Sequence, residues 1–111
     1  GAAASASPTT YNCADSSQII SFNGTITFAP GNNGGTLTYT WGRSDGAIQT
    51  TPYSLTIPPG TTTYTLPVYP ATDGEYWDIG KAAGNGTYWE KIQISAPNSF
   101  TSNEASFTIS C

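Results

Sequence analysis

Between Gly35 and Gly46 the chain reads Gly-Thr-Leu-Thr-Tyr-Thr-Trp-Gly-Arg-Ser-Asp-Gly. Leu37, Tyr39 and Trp41 alternate with Thr36, Thr38 and Thr40, the period of a strand with one face buried and the other wet. Trp41 is the largest apolar residue of the run and sits on the buried phase. Ser44-Asp45-Gly46 then turns the chain. This run organises the reading of the rest, because every other periodic segment repeats the same two-residue alternation.

Ile20, Phe22, Ile26 and Phe28 share one phase, against Ser21, Asn23, Thr25 and Thr27. Gly24 falls on their inner phase, which calls for a bulge or the close approach of a large neighbour such as Trp41. Residues 29–34, Ala-Pro-Gly-Asn-Asn-Gly, read as a hairpin loop into the organising strand. Tyr53, Leu55 and Ile57 alternate next, and Pro58-Pro59-Gly60 ends that run. Tyr64, Leu66 and Val68 follow, with Pro67 outward and therefore on an unpaired edge. Residues 86–96 put Tyr88, Ile92 and Ile94 on one phase, with Trp89, Lys91 and Gln93 on the other. Ala105, Phe107, Ile109 and Cys111 close the chain on an inward phase. The predicted core is Trp41 with Ile20, Phe22, Ile26, Leu37, Tyr39, Leu66, Ile92, Ile94, Phe107 and Ile109.

Two segments carry no such period. Residues 1–10 are small and polar and read as a flexible leader or linker, which assigns residues 11–111 to one domain. Residues 69–85 are the long aperiodic stretch, and loops of that length carry function or mobility. No helical period extends beyond about two turns. About seven short strands separated by turn residues make an all-β antiparallel sandwich with one long irregular loop.

Composition narrows the function. Only 9% of the 111 residues are charged, against about 25% in an ordinary domain, and 13% are aromatic, which favours strands over helices or disorder. The net charge is −4, with Arg43, Lys81 and Lys91 the only basic residues, so no footprint for nucleic acid exists. No apolar run is long enough to enter and span a bilayer as a helix. Cys13 and Cys111 are the only cysteines. An even count in a Ser/Thr-rich chain points to a disulfide and an extracytoplasmic setting, the alternative being two unrelated buried thiols.

Phe22-Asn23-Gly24-Thr25-Ile26-Thr27, Tyr39-Thr40-Trp41-Gly42-Arg43-Ser44-Asp45-Gly46, the Trp89 to Asn98 run and the Thr101 to Cys111 segment together resemble immunoglobulin-like modules of bacterial secreted and cell-surface proteins. The resemblance covers residues 13–111. It implies an immunoglobulin-like sandwich and a structural or adhesive role, and it is silent on activity. Its cysteines bracket the domain instead of joining two central strands, and residues 69–85 are longer than a turn.

The chain has no His, so Ser-His-Asp and Cys-His catalysis have no base, and with both cysteines taken by the expected disulfide a His/Cys zinc site has no ligands. Glu75, Asp78 and Glu90 are the one carboxylate group suited to glycosidase chemistry, but a small sandwich offers it no deep cleft. Asp73, Glu75 and Asp78 are weak Ca²⁺ candidates whose spacing matches no known loop, and a solvated acidic turn explains them better. Lys91 lies on the outward phase, which argues against an intramolecular isopeptide link. Asn23-Gly24-Thr25 and Asn85-Gly86-Thr87 match the glycosylation pattern without further support. Tyr76, Trp77, Tyr88 and Trp89 are the candidate binding group, able to stack on sugar rings or anchor a partner, or else to pack the long loop onto the sheet. No cofactor is expected. The expectation is a non-catalytic extracellular spacer, stalk or adhesive unit, contacting neighbouring domains of its own protein. The alternative is a carbohydrate-binding module accessory to a secreted hydrolase, taking a glycan through Trp77 and Trp89.

Overall fold

The computed structural model describes residues 1–12, 18–47, 51–79 and 84–110. Cys13 and Cys111 lie outside the described residues, and so does the expectation that they are bonded. The described chain is all β, with ten strands in two sheets that enclose one apolar core.

The first sheet is built on β3 (Gln18–Thr27). It is flanked on one side by β1 (Ala2–Ser7) and on the other by β6 (Thr63–Thr65) and β7 (Tyr76–Ile79), which share its length. The second sheet runs β2 (Thr10–Asn12), β10 (Ala105–Ser110), β8 (Gly86–Ala96), β4 (Gly35–Arg43), β5 (Tyr53–Ile57). The short β9 (Phe100–Thr101) also pairs with β8. Among the ten strands all pairings are antiparallel except β2 with β10, and an isolated bridge between Val68 and Glu75 is also parallel.

The alternation in the sequence becomes the core directly. Ile20, Phe22 and Ile26 of β3 face Leu37, Tyr39 and Trp41 of β4, Ile92 and Ile94 of β8, and Phe107 and Ile109 of β10, all buried. Trp41 is 1% exposed and its ring lies 5.8 Å from that of Phe22. The glycine on the inner phase of β3 is a close-approach position. A Cβ at Gly24 would stand 2.7 Å from Ile92 Cδ1, 2.8 Å from Leu66 Cδ1 and 3.3 Å from Trp41 Cζ2. No side chain fits there because Trp41 and its neighbours already fill the space.

Three expectations are corrected. Residues 29–34 are no hairpin: β3 and β4 belong to different sheets, so this loop crosses from one layer to the other. Asn32 holds the crossing, its Nδ2 donating to the carbonyls of Ala29 and Thr61, each at 2.8 Å. Ala2–Ser7 is not leader but an edge strand, in register with β3 from Ala2↔Ile26 to Ser7↔Ser21. Its inward residues are alanines, too small to give a sequence signal. Its free edge is capped by Asn103, whose amide accepts from Ala4 N–H and donates to Ala4 C=O, both at 2.9 Å. Residues 69–85 contain a strand, β7, whose four residues pair with Gln18–Ser21. Four residues between turns are too few to register a period.

Candidate functional site

The four candidate aromatics do not form one surface. On β7, Trp77 and Ile79 point inward and Tyr76 and Asp78 outward. Trp77 is 8% exposed. Its ring meets Phe107 edge-on at 5.3 Å and Tyr88 at 5.7 Å. The Arg43 guanidinium carbon sits 3.8 Å from its ring centroid. That geometry suits a cation–π contact and leaves no face for a sugar. Tyr88, half-buried, stacks on Phe107 and donates its hydroxyl proton to Gly84 O at 2.9 Å. Trp89 alternates with Tyr88 and Glu90, which puts it on the outer face of the second sheet with Lys91 Nζ 4.9 Å from its ring. Tyr76, 46% exposed, is on the outer face of the first sheet against Tyr69. One pair is therefore core, and the other two rings face opposite sides of the molecule.

The acidic candidates separate as well. Asp73 is exposed in a turn at φ 64°, and Asp78 is exposed on the outer face of β7. Among the described residues no three His, Cys, Asp or Glu side chains converge as a metal site would need. Glu75, half-buried, leaves this group and faces Glu90.

Glu90 is the residue that pattern reading underweights. It shares the inward phase of Tyr88, Ile92 and Ile94 and is 0% exposed. In register it stands between Arg43 on β4 and Ala105 on β10. Arg43 is on the same inner phase but is committed elsewhere. Its Nη2 and Nε donate to Asp45 at 2.7 and 3.2 Å, and its plane covers Trp77. No donor reaches either Glu90 oxygen. Burial, then the hydrogen bond and negative charge of Glu75, push the Glu90 carboxyl up to about 11, with Arg43 opposing and Asp45 adding to the rise. A carboxylate buried without a donor is costly, so this environment favours Glu90 as the neutral acid. Tyr39 is also raised, chiefly by its burial and then by Tyr53 and Asp73. Asp45 moves the other way: partial burial raises it, but hydrogen bonds from Ala47 N–H and Arg43 prevail and hold it below its ordinary value.

A neutral acid is a proton donor in principle, but Glu90 has no exposed surface to offer a substrate. At the opposite end of β4 a cavity of about 150 Å³ is lined by Phe28, Leu37, Ile57 and Pro97 with neighbouring Gly, Thr and Asn. It contains no charged group and offers packing surface alone.

No protein-family model matches the chain, and no curated protein sequence does. Among solved structures, a family 123 glycoside hydrolase from Clostridium perfringens, described for glycolipid glycan hydrolysis, aligns with a TM-score of 0.42 and 14% identity. The alignment covers 99% of this chain and 27% of that one, so this chain spans about a quarter of the hydrolase.

Proposed function

We propose that this chain is a non-catalytic immunoglobulin-like module of a bacterial extracellular protein, serving as a spacer, stalk or adhesive unit beside neighbouring domains. The observation that carries the proposal is Trp77, enclosed by Phe107, Tyr88 and Arg43 with 8% of its surface left. A sugar platform needs accessible ring faces in one plane, whereas these aromatics are divided between the core and opposite faces. Two facing sheets around a tryptophan on a central strand support the immunoglobulin-like part of the reading. The dimensions of 49 × 23 × 22 Å suit a spacer. A Cys13–Cys111 disulfide and an extracytoplasmic location belong to the same proposal. The glycan-binding alternative is left with Trp89 or with Tyr76 and Tyr69, one small surface on each side.

A panel of soluble polysaccharides titrated against tryptophan fluorescence, in the native protein and in Trp77→Ala, tests the reading. The expected result is no glycan-dependent emission shift. Trp77→Ala is expected to lose about 3–5 kcal/mol of stability, as truncation of a buried aromatic does. A glycan-dependent shift that Trp77→Ala abolishes without unfolding the protein would overturn it.

A further inference from the structure

Glu90 is an anomaly in an otherwise apolar layer. A carboxyl with no exposed surface and no donor on either oxygen costs several kcal/mol if charged. The charged groups that face it are few. Arg43, directly opposite on β4, is held in a two-pronged ion pair by Asp45. Glu75, from the segment before β7, presents a second carboxyl. β1, β3 and β10 bring no ionisable side chain, β10 placing Ala105 opposite Glu90. With Glu90 neutral, the Arg43 and Asp45 charges cancel. Ionising Glu90 adds an uncompensated negative charge out of reach of water.

We propose that Glu90 is protonated in the folded protein, making the Arg43 end of the sandwich a proton-dependent lock, tight in acid and weakened as the pH rises: its carboxyl is fully buried, no group donates to either oxygen, and Arg43 opposite it is held by Asp45. The sign follows from linkage. Unfolded, Glu90 loses its proton near its ordinary value; folded, burial without a partner moves that loss well above it. Between those limits the unfolded chain binds fewer protons than the native one. The contribution to stability is complete below the lower limit and falls as the pH rises, about tenfold in the folding constant per pH unit. This slope is opposite to that of a salt-bridged carboxylate such as Asp45.

Two measurements on the whole chain and on Glu90→Gln test the lock. Infrared spectroscopy at neutral pH should show one protonated carboxyl in the native protein and none in Glu90→Gln. Denaturant unfolding across about pH 5 to 8 should show the ratio of native to Glu90→Gln folding constants falling about tenfold per unit, since Gln keeps the shape and the donor without the titration. Absence of the protonated carboxyl in the native protein, or parallel pH profiles for the two proteins, overturns the proposal. If Glu90→Gln does not fold, infrared titration of the native protein gives the answer: the protonated-carboxyl band should persist at neutral pH, and its absence there overturns the proposal.

Discussion

Gly24→Ala is the sharpest test of how this core is packed. Gly24 lies in the middle of β3 with ordinary extended backbone, so alanine adds one methyl group and no dihedral strain. That methyl would meet Ile92 Cδ1 at 2.7 Å and Leu66 Cδ1 at 2.8 Å, both short of the 3.4 Å at which ordinary contact begins, and Trp41 Cζ2 at 3.3 Å. Ile92 and Leu66 are 0% and 2% exposed, so neither has free space to retreat into, and the indole of Trp41 is fixed by Phe22. Overpacking of this kind costs about 1–3 kcal/mol. The lost flexibility of the unfolded chain returns about 0.4–1 kcal/mol. A net loss of ~1–2 kcal/mol is expected in denaturant unfolding followed by tryptophan emission. The cause is checked by a double mutant. Ile92→Val removes the Cδ1 that the new methyl strikes and by itself costs about 0.5–1.5 kcal/mol. Combined with Gly24→Ala it should cost less than the sum of the two, by ~0.5 kcal/mol or more. A midpoint for Gly24→Ala equal to or above that of the native protein, or strict additivity in the double mutant, would refute the close-approach argument.

Trp41→Ala should remove about 3–5 kcal/mol, a large share of the 5–15 kcal/mol that holds a domain of this size together; an unchanged denaturant midpoint would show that β4 does not organise the core. Ser102→Ala should cost ~1–3 kcal/mol, because the buried Ser102 Oγ accepts the Ile92 N–H at 2.8 Å and no other acceptor replaces it. Hydrogen exchange read at the Ile92 amide checks the cause, since protection there should fall more than at Ile94.

What the sequence determined by itself was everything that depends on neighbours two residues apart. Ile20, Phe22 and Ile26, then Leu37, Tyr39 and Trp41, then Ile92, Ile94, Phe107 and Ile109 all stand in the core, because a strand's two-residue period is local and burial follows it. Gly24 against Trp41 was legible for the same reason: a missing side chain on an inward phase leaves room that something large must fill. Pairing, by contrast, is set by edges far away in the chain. Only the tertiary structure put β3 and β4 in different sheets, turned six small residues into β1 by offering them the edge of β3 and the amide of Asn103, and drew Tyr76–Ile79 into a strand against Gln18–Ser21. The same holds for the candidate site. The inward phase of Glu90 was in the sequence, but a lone acid on an apolar phase reads as an interruption until its surroundings are known. Its surroundings came from tertiary placement alone: Arg43, opposite it in register, is occupied by Asp45, no group donates to its oxygens, and Glu75, fifteen residues earlier in the chain, adds to the upward shift of its carboxyl.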